Sequence, residues 1–556
     1  MILNSRNTSV NPCDDFYEHS CGNWIATHEI SPRDNAAGVF LSLRDILDER
    51  LRDLLEGTYE DILTSIKQAK TLFHSCDDIY SIEQLNIANV ITNTFNRYTD
   101  NDMIKLLSLY GGRGLAPITV TQDAKNSSII KIYFSWINPI LKRNQTNKDQ
   151  FQKLVEGFQD LIDVNTVINM ETKILNMTYL NVENEKVTLE DLSNETAANL
   201  DAYINDILNE IGSPIKVTKN DSVYVASKDY VKQLFQLIDS SPRNFREYTF
   251  FRMLLSLSMA LPMKYRKVVE AYENELQSQS YSLSRDIQCA KKVNKLLPNH
   301  VGRLYVDKYF KKSTKEKVAK LVEDIRQSML HIFSGSDWMD EATKDAAKKK
   351  AAAVLDFIGY SATINKMPLF PDVGNLTGTD FLTSMLNIRR MTSALQFNSL
   401  RNLRPRNSSD IPSALVNAFY DPSRNTIRTT VKSFGMDRKA IDTLASNRTG
   451  WRTKVGKRVK VFEKAKAYKT SISKTGEKHQ MLPGLEYTDD QLFFAGFAHI
   501  WCRRTSRRSI LNQLNNEHSP ARARVTVTLM NSHEFSKAFK CPPNSRMNPT
   551  EKYGVW

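Results

Sequence analysis

The 556-residue sequence has no apolar run long enough to cross a bilayer. Its longest apolar-leaning stretch, Met253–Met263, is broken by serines and falls well short of the roughly 20 residues a spanning helix needs. Glycine and proline are scarce, at 20 and 18 residues, and 41% of the chain is hydrophobic, which excludes collagen-like, low-complexity and disordered classes. Histidines number nine and no two stand four apart, so HExxH, the helical zinc signature, is absent. The nearest fragment, His533-Glu534-Phe535-Ser536-Lys537, has lysine where the second ligand belongs and reads as the start of a surface helix. Spaced carboxylates such as Glu341/Asp345 and Glu49/Asp53 are ordinary on solvated helices. No G-x-S-x-G elbow, Walker A loop or strand-linked GxGxxG is present.

The six cysteines, Cys13, Cys21, Cys76, Cys289, Cys502 and Cys541, are even in number and widely scattered, with no CxxC spacing. That pattern suits disulfides better than a zinc knuckle or a redox pair. Nine N-x-[ST] sequons, at Asn7, Asn126, Asn144, Asn176, Asn194, Asn220, Asn375, Asn407 and Asn447, point the same way. Met1–Val10 has neither a basic n-region nor an apolar core, so it is not a secretory signal. The expectation is an extracellular protein, secreted or the ectodomain of a type II membrane protein, whose signal or anchor is missing from the sequence. A cytosolic protein with free thiols is the alternative.

At 556 residues, two or more lobes are expected. Apolar residues recur every three or four positions in 40–56, closed by Gly57, and the same spacing predicts helices over 228–239, 245–259, 264–276 and 314–333. The Ala- and Lys-rich 340–355 has high helix propensity. Up to about residue 400 the chain reads as mostly α. Then 414–420 (ALVNAFY), ended by Asp421-Pro422, predicts a short strand and turn, and Thr488 an N-cap for a helix over 489–502.

Between Arg428 and Lys469, 42 residues hold 13 Lys/Arg against 3 Asp/Glu, which is most of the chain's net charge of +14. The run Lys454, Lys457, Arg458, Lys460 and the cluster Arg503, Arg504, Arg507, Arg508 suit a polyanion or a solvated surface. Aromatics are too few there for base stacking, so nucleic acid is not expected as a partner.

One specific resemblance is carried by motifs in order along the chain: Val10 through Tyr17, Cys21-Gly22-Asn23-Trp24, Leu43-Arg44-Asp45, Trp338 through Thr343, Val416-Asn417-Ala418-Phe419-Tyr420, Leu482-Pro483-Gly484-Leu485, Asp490 through Phe494, Trp501-Cys502, His518-Ser519-Pro520 with Arg524, and Phe535 through Trp556. The chain resembles the neprilysin family of zinc metallopeptidases nearly throughout. The resemblance implies a mainly α, two-lobed ectodomain, with a small β element near 414–428 and an incomplete C-terminal catalytic lobe. It divides the chain into a mostly helical N-terminal domain, 1–405, and a truncated peptidase domain, 406–556, in which 428–466 is an unrelated basic stretch. It also implies disulfides Cys13–Cys541, Cys21–Cys502 and Cys76–Cys289.

In the family, peptides are cleaved before apolar residues by a zinc ion that HExxH and a later GENxAD glutamate bind. By resemblance, Asn417 and Ala418 are the edge-strand pair that binds substrate backbone, His518 the oxyanion stabiliser and Arg524 the support for a substrate carbonyl. Without the family, His518 reads as a loop histidine and Arg524 as a solvated charge. The zinc ligands and the glutamate base do not carry over, because the segment between Asn425-Thr426-Ile427 and Ala467-Tyr468-Lys469 is too short to hold them. The family tail Lys-Cys-x-Val-Trp reads Lys552-Tyr553-Gly554-Val555-Trp556 here, and the partner of that lost cysteine lies in the missing segment. Loss of both halves together leaves six cysteines able to pair completely.

Three functions follow. The first is a catalytically inactive family member, binding no zinc, that holds peptides or protein ligands. The second is an active zinc metalloendopeptidase whose sequence as read lacks catalytic-core and anchor segments. The third is a basic module for heparin-like polyanions, acting through 428–469.

Overall fold

The computed structural model describes residues 2–31, 34–59, 64–112, 114–123, 129–141, 145–178, 185–277, 282–336, 338–360, 380–402, 414–422, 424–429, 487–506, 509–510 and 519–552. The chain forms two compact units whose segments interleave. One comprises Met1–Thr58, Gln277–Met367 and Asn407–Trp556, the other Tyr59–Leu276 and Pro368–Arg406. A sequential division at 405/406 therefore follows the order of the motifs rather than these units. The described residues are mainly helical, with nine short strands: β1 (Ala36–Gly38), β2 (Ile118–Gln122), β3 (Ile130–Phe134), β4 (Glu185–Thr188), β5 (Ser222–Val225), β6 (Leu355–Ile358), β7 (Ala418–Asp421), β8 (Thr426–Thr429) and β9 (Arg503–Thr505).

In the first unit the chain's two ends are joined. The helix Phe16–Thr27 is capped by Asp15, whose carboxylate accepts the Glu18 amide at 3.0 Å. It buries Phe16, Tyr17, Cys21 and Trp24 against Phe494, Phe497, Val525, Leu529 and Phe535 of the C-terminal helices. Phe16 meets Phe535 and Phe539 edge-on at 4.7 and 4.8 Å between ring centres, the geometry aromatic quadrupoles favour. Disulfides Cys13–Cys541 and Cys21–Cys502 fix this packing, and β1 pairs with β9 antiparallel, Gly38 opposite Arg503. Cys76 and Cys289 are each disulfide-bonded as well.

A second cluster of the same unit seats the three-stranded sheet, ordered β6-β8-β7. The helix Glu341–Ala352 begins at Asp340, whose side chain accepts the Thr343 amide at 2.9 Å, and ends early enough for β6 to start at Leu355. The helix predicted over 340–355 is shorter because its last residues join this sheet. Val318 and Val322 of the helix Lys312–Ser334 pack with Val354, Ile358, Tyr420 and Ile427.

The second unit is mostly α, as expected, with one small sheet that the sequence reading did not include. It contains a four-stranded sheet, ordered β2-β3-β5-β4, in which only β3 and β5 run parallel. Strand β3 (IKIYF) alternates buried and half-buried residues, the period-2 signal of a one-sided sheet. In the same unit, Glu171 is fully buried. Its carboxylate accepts the Leu141 amide at 2.8 Å and the Tyr248 hydroxyl at 2.7 Å, and pairs with Arg252 at 3.2 Å.

Candidate functional site

Strand β7 is shorter than the 414–420 run suggested, starting at Ala418, yet it places the expected pair at its first turn of chain. Asn417 is exposed immediately before the strand and Ala418 opens it. Among the described residues β7 pairs on one side only, antiparallel to β8, with Ala418 opposite Thr429 and Tyr420 opposite Ile427. Its other side is a sheet edge, where backbone donors and acceptors can receive an extended chain. The Ala418 amide donates to Asn417 Oδ1 at 2.8 Å, so an incoming strand must compete with this local bond.

The hairpin turn holds the edge in place. Asn425 adopts φ 49°, the left-handed region that asparagine tolerates better than most residues. Its Oδ1 accepts the Tyr420 hydroxyl at 2.7 Å, its Nδ2 donates to the Lys350 carbonyl at 3.0 Å, and its own carbonyl accepts the Leu355 amide at 3.0 Å. Buried Arg424 lies 3.7 Å from Asp421, and burial lowers its guanidinium pKa. A single residue thus couples β6, β7 and the preceding helix.

Arg524 belongs to the other cluster of this unit. It lies on the helix Ala521–Met530, whose Val525 and Leu529 are buried. Its guanidinium sits 4.5 Å from the centre of the Trp501 ring, and its Nε donates to the Ser519 carbonyl at 2.6 Å. Cation–π contact and hydrogen bond together hold the charge where the chain leaves Ser519. His518, the residue before, lies outside the described residues, as do Lys454, Lys457, Arg458, Lys460, Arg507 and Arg508. Asn417 and Ala418 are thus brought together by β7, while Arg524 rests on a separate hydrophobic cluster. Trp501 was legible as part of a motif but not as the seat of Arg524, because that contact joins helices distant in sequence.

Three other histidines, His19, His28 and His499, are committed elsewhere. His19 contacts the Val10 carbonyl at 2.7 Å and the Tyr487 hydroxyl at 2.6 Å, and burial lowers its pKa. His28 stacks on Trp24 at 4.1 Å. His499 is buried with its Nδ1 3.0 Å from Ser5 Oγ, and burial drives its pKa down to about 4. Glu534 and His533 start the short helix His533–Ala538, capped by Ser532, whose Phe535 is core. Among the described residues no three His, Cys, Asp or Glu side chains converge as a metal site. His479 and His518, the two histidines outside them, are too far apart in sequence to share a helical turn. The donor set does not fit the two-histidine helical zinc site.

Comparisons with known proteins agree with this fold. Human neprilysin is 23% identical over 685 aligned positions that cover 100% of this chain and 91% of the relative. Human endothelin-converting enzyme 1 is 23% identical over 674, covering 100% and 86%. Both alignments exceed the 556 residues present, so each relative carries more than a hundred aligned residues without a counterpart here. Among solved structures, PepO from Lactobacillus rhamnosis matches with a TM-score of 0.77 at 17% identity, over 97% of this chain and 98% of that one. The Mycobacterium tuberculosis zinc metalloprotease ZMP1, in complex with an inhibitor, matches at 0.74 and 17%, over 97% and 96%. At such identities these two likenesses concern the fold alone. Two models described as peptidase family M13 match residues 12–361 and 461–555, and the chain belongs to that family of zinc metallopeptidases.

Proposed function

We propose that this chain, with the sequence it has, is a non-hydrolysing member of peptidase family M13 that holds extended peptides or protein segments against the β7 edge. The observation that carries the proposal is the absence, anywhere in 556 residues, of two histidines four apart. Family chemistry relies on a metal-bound water with its pKa lowered to about 7 and a carboxylate to take its proton. An oxyanion donor such as His518 contributes about 2.7–4 kcal/mol only once charge develops on a substrate oxygen. With no polarised nucleophile, edge strand, His518 and Arg524 bind a ground state and no turnover follows. The open side of β7, the exposed Asn417 and the oriented Arg524 support the binding half of this function. Disulfides and sequons support residence in an oxidising, extracellular compartment as a glycoprotein.

The test uses the full chain and a fluorescent, extended, apolar-flanked peptide. Saturable binding with the peptide recovered intact is expected. Ala418→Pro removes the strand's first donor and weakens binding by about 2- to 12-fold, the worth of one net backbone hydrogen bond. Cleavage of the peptide, or no binding at all, contradicts the proposal.

A second function, active metalloendopeptidase, is favoured by one observation. Residues 362–460 match neither family model, and they include the place where the zinc motifs should stand. On that alternative the catalytic segment belongs to the natural protein and is missing from this sequence. Sequencing the full-length transcript across Arg428–Lys469 separates the two: recovery of HExxH ends the first proposal, and an uninterrupted match to the present sequence ends the second.

A further inference from the structure

The described residues include four of the nine sequon asparagines, Asn7, Asn176, Asn194 and Asn220, and these differ in setting. Asn7 is half-buried, and its Oδ1 accepts the Ser9 amide at 3.2 Å and the Ser9 hydroxyl at 2.6 Å. Asn194 and Asn220 are exposed, and neither side-chain amide has a hydrogen-bond partner among the described residues.

Both of these flank one strand of the second unit. β4 ends the four-stranded sheet, pairs among the described residues only with β5, and has no buried residue. Asn220 lies in the turn 218–221, which Asp221 closes by accepting the Thr218 amide at 2.7 Å. That turn is bonded to the residues that follow β4. The Leu189 amide donates to the Asp221 carbonyl at 3.0 Å and the Glu190 amide to the Lys219 carbonyl at 2.9 Å. Ser222, two residues on, stands opposite Thr188, the last residue of β4. Asn194 is tethered near the strand's other end. It lies on the helix Leu189–Thr196, and its neighbour Glu195 shares Lys228 with Glu185, the first residue of β4, at 3.5 and 3.1 Å. One sequon thus stands at each end of the strand.

An open sheet edge is a template for a second chain. The two charged residues of β4 are already matched, Glu185 by Lys228 and Lys186 by Asp123 at 4.0 Å, so charge alone does not repel such a partner. We propose that Asn194 and Asn220 carry N-linked oligosaccharides that cover the β4 edge and keep the second unit from pairing with another copy of the chain. A glycan is bulky and hydrated, and two of them at the ends of so short a strand leave no room for strand addition. In the transfer, each Asn Nδ2 bonds to the anomeric carbon of a lipid-diphosphate-linked oligosaccharide. The anomeric C–O bond to phosphate breaks, the lipid diphosphate leaves, and the amide gives up one proton. The Thr196 hydroxyl, buried and donating to the Leu192 carbonyl at 2.8 Å, is no obstacle because transfer takes place before the chain folds. The inference rests on the reading of the chain as an extracellular glycoprotein and does not depend on peptide binding at β7.

The test begins with the full chain secreted from eukaryotic cells behind a cleavable signal. Enzymatic release of N-glycans in heavy-oxygen water turns each occupied asparagine into a labelled aspartate, which peptide mass spectrometry locates. Label at both Asn194 and Asn220 is expected. Either site bare while other sequons are labelled overturns the proposal alone, and no label at any sequon overturns the extracellular reading with it. The edge-covering role is read from sedimentation and amide exchange. Asn194→Gln combined with Asn220→Gln is expected to raise the sedimenting mass toward twice the parent's as concentration increases, with exchange slowed over 185–188. Asn176→Gln, which removes an exposed sequon on another helix, is expected to match the parent. If the double variant melts lower than the parent, the folded parent with its glycans trimmed by an endoglycosidase takes its place. A parent-like mass after loss of both glycans, or equal association of Asn176→Gln, overturns the role.

Discussion

Asn425 shows how much of the candidate site depends on one side chain. Its left-handed backbone and its bonds to Tyr420 and Lys350 fix the hairpin that presents Ala418. Asn425→Val is expected to destabilise the protein by about 1–3 kcal/mol, since a β-branched residue is strained at that φ and cannot replace the bonds. Asn425→Gly restores the conformation and costs less. Denaturant melts of the pair, read beside peptide binding, check both statements. A second residue-scale expectation concerns acid. Burial holds His499 neutral with its pKa at about 4, against an ordinary value near 6.5. Below about pH 6.5 the unfolded chain takes up a proton that the folded chain refuses. Stability contributed by the neutral imidazole is present above that pH, is lost as pH falls to about 4, and changes no further beneath it. The full swing is about 3 kcal/mol. His300, likewise lowered to about 4 by burial, adds to the same limb. Urea midpoints at pH 7 and pH 4 are expected to converge in His499→Gln relative to the parent. An unchanged difference assigns the acid loss to other groups.

At the scale of elements, the helix Phe16–Thr27 is joined to C-terminal segments by Cys21–Cys502 and flanked by Cys13–Cys541. Replacing Cys21 and Cys502 with alanine is expected to lower stability by about 2–5 kcal/mol, measured by chemical denaturation with the second bridge intact. In the second unit, Glu171→Leu leaves the Arg252 charge buried without its partner, and a loss of about 3–5 kcal/mol is expected. Helices with strong apolar spacing were legible in the sequence. Those predicted over 40–56 and 228–239 appear as Val39–Glu56 and Lys228–Ser240, and Thr488 caps Asp489–Ile500 with Gln491 completing a reciprocal cap. The four-stranded sheet was not read, although β3 alternates plainly. Its strands are five residues or fewer, and although β2 and β3 are neighbours in sequence, β5 reaches β3 and β4 across long separations that no local turn signal announces. The edge pair Asn417 and Ala418 was legible from its motif. The seat of Arg524 on Trp501 was not, because it arises only when the Ala521–Met530 helix packs beside Trp501, the residue that follows the Asp489–Ile500 helix.

For the whole molecule, the M13 fold is present, while the sequence as read holds no two histidines four apart. The N- and C-terminal segments share one core, although more than a hundred aligned residues of neprilysin have no counterpart in this sequence. The most direct test is zinc content measured on the purified full-length chain together with hydrolysis of an apolar-flanked peptide, with and without a chelator. We expect far less than one zinc per chain and no chelator-sensitive product. One tightly bound zinc per chain with turnover that a chelator abolishes would contradict the account.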